Sequence, residues 1–209
     1  DNVNKELEEK IIKEINPNKL FVVNNKIKTR SLELYGLFES DVKELIVGPD
    51  TEIWSPPCDY SDNILWKGNS NHKVKDVGLA LDISKKLDKY NFTFLGYPKP
   101  YSYVDHIDIA RKSYLYFTTS ISETKGMAVL EQLSAGVPCV THKDIFQAGI
   151  NYKTGIIVKR DINSYCNAIE EIMENVDLRN KMSKFAANYA KELYNPSKLI
   201  KNVVKYYKQ

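Results

Sequence analysis

The sequence of 209 residues lacks several features that mark common protein classes. It contains no run of eighteen apolar residues, so no transmembrane helix is predicted. No signal peptide is visible, although the chain begins with Asp1 rather than Met. Internal repeats and low-complexity tracts are also absent. The net charge is only +3, which does not indicate nucleic-acid binding and fits a small anionic ligand.

Cysteine and histidine are scarce, with three residues of each. Cys58, Cys139 and Cys166 are odd in number, far apart and without metal-binding spacing, so we expect reduced thiols in a cytoplasmic protein. The histidines are isolated as well, and none has a neighbour at a metal-ligand spacing. We therefore expect surface or supporting positions for them, and no metal site.

What is present suits one substantial α/β domain with an appendage. From residue 64 onward, short apolar strand patterns alternate with amphipathic helical patterns. This alternation indicates a doubly wound, mostly parallel sheet with helices on both faces, which is a Rossmann-like α/β fold. The predicted strands are 20–24, 44–47, 64–67, 92–95, 115–119, 139–141 and 155–158. The predicted helices are 4–15, 29–35, 74–87, 103–112, 127–135, 162–173, 178–193 and 197–208.

The most informative stretch is 118–140, TTSISETKGMAVLEQLSAGVPCV. A predicted strand leads into it, Gly126 precedes a short helix, and Gly136 ends that helix. Glu123 lies in the loop at the carboxyl end of the strand, and Glu131 lies about two turns into the helix. Free N–H groups at the start of the helix form an anion site between the two carboxylates.

This layout fits a ligand in which a diphosphate joins two hydroxylated rings, with the phosphates on the amides and one carboxylate for each ring. A nucleotide sugar has this structure. The alternative is that both glutamates only occupy a solvated helix start, where negative charge is favourable in any case. The full pattern of strand, loop, glycine-led helix and Ala-Gly-Val-Pro exit favours the ligand.

The stretch resembles the donor-binding signature of the retaining, group-1 glycosyltransferases of GT-B fold. Their usual pattern is Ser-x-x-Glu-Gly-Phe-Gly-x-x-x-Leu-Glu-Ala-x-Ala-x-Gly-x-Pro-Val. This chain has Ser120-Ile-Ser-Glu123-Thr-Lys-Gly126-Met-Ala-Val-Leu130-Glu131-Gln-Leu-Ser-Ala-Gly136-Val-Pro138-Cys. Thr124 and Lys125 replace the family's Gly-Phe pair, so we expect a stiffer loop. The additional cation of Lys125 either touches the ligand or is solvated.

The resemblance implies a role for each acidic residue. Glu123 matches the glutamate near the transferred sugar, where it would act in catalysis by stabilising positive charge at the anomeric carbon. Glu131 matches the glutamate that accepts hydrogen bonds from ribose hydroxyls. No metal or other cofactor is implied if amides and lysines carry the phosphate charge. The implied donor-binding residues are Gly68, Asn69, Gly96, Tyr97, Thr124, Lys125, Gly126, Met127, Ala128, Val129 and Glu131.

The loop after the third predicted strand is expected to supply cations for the diphosphate. The family usually has Gly-Arg there, followed by Lys-Gly, but this chain has Gly68-Asn69, so the arginine is missing. Lys67, Lys73 and Lys75 are available instead. We predict Lys75 and then Lys73 as the catalytic lysines because they flank a helix start. The alternative is that both face solvent.

The loop that begins at Gly96 stands where the family contacts the nucleobase. The chain has one strand–helix unit fewer than the family ahead of this loop, so the residue that holds the base is left open. Tyr97 and Tyr101 are candidates for stacking on the base, and packing within the turn is the alternative for both.

The resemblance covers residues 45–207 and implies the donor-binding half of a longer GT-B enzyme. The predicted divisions are a remnant of the acceptor-side domain (1–50), a hinge (51–61), the nucleotide-sugar-binding domain (62–195) and a C-terminal helix (196–209). Trp54 is expected to plug a hydrophobic pocket at the hinge, and stacking on a ligand is the alternative. The basic, amphipathic last helix either docks on protein, crossing back to the missing N-terminal domain as in the family, or lies on anionic lipid.

The expected activity is retaining transfer of a hexosyl unit from a nucleotide diphosphate sugar to a glycan, lipid or protein acceptor. We expect a cytoplasmic location, with the inner face of a membrane as an alternative, and little transfer by this piece alone. Two other functions stay open. One is a non-catalytic nucleotide- or sugar-binding module, which the missing arginine favours. The other is a nucleotide-sugar epimerase of the same fold, which needs further acid–base residues.

Overall fold

The structure is a computed structural model that describes residues 20–22, 28–29, 32–33, 38–44, 47–69, 71–98, 101–123, 126–143 and 150–207. Backbone contacts divide the chain into two compact units, a larger one of residues 48–198 and a smaller one of residues 1–47 with 199–209. The roles assigned to the four predicted divisions stay predictions. No helix within the described ranges combines the length and the apolar character that crossing a membrane requires.

In the smaller unit, two short strands pair in parallel: β1 (Leu20–Val22) and β2 (Val42–Glu44). The strand predicted at 44–47 was misplaced, because β2 ends at Glu44 and Val47 has no regular secondary structure. A short apolar run such as 45–47 does not mark strand boundaries by itself. The predicted helix 4–15 and most of the predicted helix 29–35 lie outside the described residues.

The larger unit is built on a sheet of five parallel strands among the described residues. These strands are β3 (Ile64–Lys67), β4 (Phe92–Leu95), β5 (Leu115–Phe117), β6 (Cys139–His142) and β7 (Gly155–Val158). Their spatial order is β4-β3-β5-β6-β7, so the chain moves outward from β3 in one direction and then returns to continue in the other. This is the doubly wound order with a switch point between β3 and β5. The predicted Rossmann-like fold is confirmed.

The described α-helices are α1 (Val77–Lys86), α2 (Tyr103–Lys112), α3 (Met127–Ser134), α4 (Ile162–Glu174), α5 (Val176–Leu193) and α6 (Pro196–Tyr207). All except α1 match their predicted bounds within two residues. Polar side chains cap several of them as the sequence indicates: Asp161 accepts a hydrogen bond from the Ser164 amide, 2.9 Å away, at the start of α4.

The predicted helix 74–87 is interrupted near its start. Residues Lys73–Lys75 form a 3₁₀ turn, and Asp76 adopts a left-handed conformation with φ of 46° before α1 begins. Aspartate tolerates this conformation better than most residues because its short carboxylate bonds locally. The Asp76 carboxylate accepts a hydrogen bond from Leu79 N at 3.2 Å, so the break also caps α1.

Two hydrophobic clusters cover the two faces of the sheet, because successive strand residues point in opposite directions. Ile64 and Trp66 join the cluster that contains side chains of α1 and α4. Leu65 joins the other cluster, with side chains of α2, α3 and α5. Trp54 is buried in this second cluster, which confirms the prediction that it plugs a hydrophobic pocket.

The free thiols agree with the expectation from sequence. Cys58, Cys139 and Cys166 are all unbridged, and Cys139 is fully buried in β6. Burial raises the pKa of the Cys139 thiol well above its ordinary value, so it stays protonated and serves as a small apolar side chain.

Candidate active site at the carboxyl edge of the sheet

The carboxyl ends of β3 and β5 lie side by side at the switch point of the sheet. Trp66 pairs with Phe117 in the ladder, so the loops that follow Lys67 and Phe117 leave the sheet next to each other. Ligands of open parallel sheets bind in the crevice at this place. Of the loop that follows β6, residues 144–149 lie outside the described residues.

Several hydrogen bonds tie the loop after β3 to the loop after β5. The Thr119 hydroxyl lies 2.9 Å from the carbonyl oxygens of both Lys75 and Asp76. It also accepts a hydrogen bond of 3.0 Å from the indole Nε1 of Trp66. The Ile121 amide donates to the Val74 carbonyl at 2.7 Å. These bonds hold the backbone that carries Lys75 against the backbone that carries Glu123.

Lys75 and Glu123 form an ion pair across these two loops. Their side chains are 26% and 17% exposed, so both are largely withdrawn from solvent. The structure thus brings together two of the three residues that were predicted to be catalytic. Lys73, the third, is exposed on the 3₁₀ turn and makes no ion pair with any described residue. For Lys73, the structure therefore agrees with the alternative in which the side chain faces solvent.

Glu131 forms a second ion pair, with Lys67 at the end of β3. Both side chains are less than one-fifth exposed, at 19% and 15%. The Lys67 ammonium also lies 5.2 Å from the centroid of the Trp54 ring. Burial lowers the pKa of Lys67, Glu131 acts in the opposite direction, and the nearby charge of Lys75 lowers it further. Neither glutamate therefore occupies a solvated helix start, as the alternative interpretation supposed.

The helix α3 begins between Glu123 and Glu131, the acidic members of the two ion pairs. Gly126 is buried, has a φ of 66°, and precedes the helix without a side-chain cap. Met127 is exposed and Ala128 is half-buried, whereas the Val129 side chain packs into the core. Only the main chain of Val129 is left for a ligand, because its side chain points into the protein. Thr124 and Lys125 lie outside the described residues.

A cavity of about 390 Å³ opens beside Lys67, where the loops after β3 and β4 approach each other. Gly68 and Gly96 make this approach feasible. Gly96 has a φ of 91°, and a Cβ atom there would overlap the carbonyl oxygen of Gly68. The two loops are also joined by a hydrogen bond of 2.9 Å from the Gly68 amide to the Leu95 carbonyl. Both glycines therefore shape the cavity, whatever ligand fills it.

The two candidate tyrosines of the loop after β4 have different surroundings. Tyr97 packs edge-on against Phe94, with ring centroids 6.3 Å apart, which is the turn-packing alternative. Tyr101 is 47% exposed and lines the cavity. Asn69, which stands in place of the family's arginine, is exposed at the rim, and its side-chain carbonyl accepts a hydrogen bond from Asn71 N at 3.0 Å.

His106 also lines the cavity, and the sequence analysis did not single it out. It projects from the first half of α2, with its ring edge-on to Trp54 at 6.3 Å. Its Nε2 atom is buried and has no hydrogen-bond partner among the described residues. Burial and the positive charge of Lys67 lower the pKa of His106 to about 4, so the ring is neutral near pH 7. The sequence offered one sign that His106 lies near a ligand: it belongs to the helix that follows the carboxyl end of β4.

Arg160 is a second residue that the sequence analysis missed. It follows β7 and forms an ion pair with the Asp76 carboxylate, directly after Lys75 in the chain. Asp76 is thus held by Arg160, by Leu79 N and, through its carbonyl, by Thr119. This support fixes the left-handed turn from which Lys75 extends. Arg160 lies 84 residues from Asp76, so no local pattern connects them.

His142 supports the same region from β6. Its ring is fully buried, and Nε2 lies 2.6 Å from the Ser120 carbonyl oxygen, three residues before Glu123. His72, in contrast, is exposed. Within the described residues, no group of three or more His, Cys, Asp or Glu side chains could hold a metal ion. The expectation that no metal is needed stays a prediction.

Known structures share this fold at low sequence identity. A glycosyltransferase from Rickettsia africae aligns with 100% of this chain and 67% of its own, at 16% identity and a TM-score of 0.76. Sucrose-phosphate synthase from Thermosynechococcus elongatus aligns with 100% of this chain and 62% of its own, at 14% identity and a TM-score of 0.77. HepE from Anabaena, solved with UDP and glucose, aligns with 92% and 63%, at 10% identity and a TM-score of 0.73.

These alignments establish the fold, and the chain spans about two thirds or less of each of these structures. A search of the curated proteins finds no match. The family model described as "Glycosyl transferases group 1" matches residues 16–189, which is most of the chain. The match includes both ion pairs at the switch point. The chain belongs to the group 1 glycosyl transferase family.

Proposed function

We propose that the larger unit binds a nucleotide diphosphate sugar at the carboxyl edge of its sheet. In the complete enzyme, it would transfer the hexosyl unit with retention to a glycan, lipid or protein acceptor. The observation that carries the proposal is the pair of lysine–glutamate contacts, Lys75–Glu123 and Lys67–Glu131, at the switch point. Glycosyl transfer in general follows from the family, whereas the hexosyl donor, the acceptor class and retention are proposals.

The proposed position of the donor follows from the chemistry of the groups present. Glu131 would accept hydrogen bonds from the ribose hydroxyls, since a carboxylate matches a vicinal diol. The amides at the start of α3, after Gly126, would face phosphate or sugar oxygens. Glu123 would face the transferred sugar. These amides and lysines supply the positive charge that a diphosphate needs, so we propose no metal.

The nucleoside is proposed to extend into the cavity beside Lys67. Its volume of about 390 Å³ lies within the range of small-molecule sites. Tyr101 offers an aromatic face, and the neutral His106 also lines the cavity, with a buried Nε2 that has no hydrogen-bond partner among the described residues. Such a mixture of aromatic and polar groups suits a nucleobase.

Lys75 and Glu123 are the proposed catalytic residues. As the donor breaks, negative charge grows on the leaving diphosphate and positive charge grows on the anomeric carbon. Lys75 would stabilise the first charge and Glu123 the second. Their pairing before the donor arrives holds both side chains in place, so little reorganisation is needed. Loss of one such group typically costs about 100- to 1,000-fold in kcat.

We further propose that the larger unit is the donor-binding half of a GT-B enzyme, with the acceptor held by a second domain. For α6, docking on protein is the primary proposal. Ile200 and Val204 are exposed together with Lys201 and Lys205, which supports contact with anionic lipid as the alternative. A cytoplasmic location is part of the same proposal.

A non-catalytic nucleotide-binding module is the second candidate function. It is favoured by Asn69, which is neutral and exposed at the position where the family has an arginine. Both candidates predict nucleotide binding, and only the enzyme predicts turnover.

Two measurements, made one after the other, test the proposal. Isothermal titration of the chain with UDP, GDP and ADP should give saturable binding to one of them, and no binding to any would refute a donor site. A kinetic assay of the complete enzyme with Glu123→Gln should then show kcat lowered by about 100-fold or more. Glu174→Gln, at an exposed surface pair, is the matched control and should be unaffected. An unchanged rate in Glu123→Gln would favour the binding module.

A further inference from the structure

Lys67 stands out because the family signature assigns it no role and the fold places it inside the site. It is the last residue of β3, the strand at the switch point, and it lines the cavity together with Gly68 and Asn69. A Cβ atom at Gly68 would lie 3.1 Å from Cγ of Lys75, so the Lys75 side chain passes directly over this turn. Two lysine side chains therefore converge where Asn69 itself offers no charge.

The convergence of two cations is unfavourable unless something negative compensates it. Each lysine has a glutamate partner, which offsets the repulsion within the protein. An ammonium group has three N–H donors. Among the described residues, the Lys67 ammonium donates a hydrogen bond only to Glu131 and also lies over the Trp54 ring, so one of its three donors remains for a ligand. The cavity is the accessible space in front of it.

The covalent structure of a nucleotide decides which phosphate Lys67 can reach. The α-phosphate is attached to the 5′ oxygen of the ribose, and the β-phosphate is one P–O–P linkage further away. Lys67 is hydrogen-bonded to Glu131, the carboxylate proposed for the ribose, whereas Lys75 is bonded to Glu123, which is proposed for the transferred sugar. The two lysines are therefore sorted along the ligand in the same order as its two phosphates.

We propose that Lys67 binds the α-phosphate of the nucleotide and takes the place of the missing arginine, while Lys75 binds the β-phosphate. This assignment rests on the proposed function. It replaces Lys73, which is exposed and unpaired among the described residues, as the second phosphate-binding lysine. Lys67 thereby becomes a nucleotide-binding residue rather than a catalytic one, because the α-phosphate keeps its bonds during transfer.

The test compares ligands that gain one phosphate at a time. The chain is titrated calorimetrically with uridine, UMP and UDP, and with the corresponding guanosine and adenosine series; the series that binds most tightly is then used for variants. Lys67→Gln should weaken the monophosphate and the diphosphate by the same factor, about 10- to 100-fold, and leave the nucleoside unchanged. Lys75→Gln should weaken the diphosphate alone. Lys67→Arg should restore monophosphate binding, and Lys85→Gln, on the exposed surface, is the control.

The outcomes separate this assignment from the proposed function. A wild-type chain that binds none of the nine ligands refutes both. A wild-type chain that binds the diphosphate, together with a folded Lys67→Gln variant of equal monophosphate affinity, refutes only the role of Lys67. If Lys67→Gln does not fold, the wild type alone decides the question. A Lys67 contact requires the monophosphate to bind at least about 10-fold more tightly than the nucleoside, and equal affinities would overturn it.

Discussion

Replacing Thr119 with valine tests whether a single hydroxyl group ties the two ligand loops together. Thr119 is fully buried, accepts a hydrogen bond from Trp66 Nε1 at 3.0 Å, and lies 2.9 Å from the carbonyls of Lys75 and Asp76. Valine keeps the β-branched shape of threonine but has no polar atom. The substitution therefore isolates the hydrogen bonds from the packing.

The expected cost follows from what is left unpaired. Trp66 is 1% exposed, so its N–H would stay buried without a partner. One unsatisfied buried group costs about 1–3 kcal/mol, and the lost bond to the loop carbonyls costs about 1 kcal/mol. We expect Thr119→Val to lower the free energy of unfolding by about 2–4 kcal/mol. In a Trp66→Phe background no indole N–H remains, so the same substitution should cost about 1–3 kcal/mol less.

The assay is urea unfolding followed by far-ultraviolet circular dichroism for the two single variants and the double variant. Thr93→Val, on the edge strand β4, is a matched control that we expect to change stability by less than about 0.5 kcal/mol. Thr119→Val should also weaken nucleoside diphosphate binding, because Lys75 loses its backbone anchor. Equal urea midpoints for wild type and Thr119→Val, or an equal cost in both backgrounds, would refute the reasoning.

Three further predictions concern stability. Because burial lowers the pKa of His106 to about 4 from an ordinary value of 6.5, the unfolded chain binds more protons between these values. The free energy of unfolding should keep the full contribution of His106 above pH 6.5 and fall by about 1–3 kcal/mol as the pH drops toward 4. His106→Gln should remove this pH dependence when the free energy of unfolding is measured with urea at each pH. Gly136→Ala should cost about 1–3 kcal/mol in thermal unfolding, because φ is 68° and the new methyl group would meet the Tyr60 hydroxyl; an unchanged melting temperature would contradict this. Arg179→Lys should cost about 1–2 kcal/mol in urea, since the guanidinium stacks on Tyr60 and Tyr114 at 3.8 and 4.5 Å and lysine cannot, whereas Arg179→Met should cost no less.

Local sequence patterns predicted most of the secondary structure of the larger unit. The strands at 64–67, 92–95 and 155–158 and the helix at 103–112 have their predicted bounds. The prediction failed where a single residue outweighed the pattern. Asp76 interrupts an otherwise amphipathic helix, because its carboxylate both caps α1 and pairs with Arg160, which lies far away in the chain. The apolar spacing around it contains no sign of that partner.

The site was predictable only in part, for a related reason. The spacing of Glu123 and Glu131 and the glycine between them are contiguous features, so the carboxylates and the helix start could be identified from sequence. The sequence indicated Lys75 but favoured Lys73 over Lys67, since the three lysines are equally charged and lie within nine residues of one another. Side-chain direction decides among them: Lys73 faces solvent, while Lys67 and Lys75 turn inward.

Sequence patterns were enough to predict the α/β class, the family resemblance and the positions of Glu123 and Glu131, because the periodicity of each element and the signature motif are carried by residues close together in the chain. Packing between elements is what places each lysine beside its glutamate, brings His106 and Arg160 next to the candidate site, and positions the cavity. Those facts depend on the strand order β4-β3-β5-β6-β7, which brings together groups 48 to 84 residues apart. The reason is physical: periodicity records which face of an element is buried, whereas contacts between elements are set by how the buried faces pack.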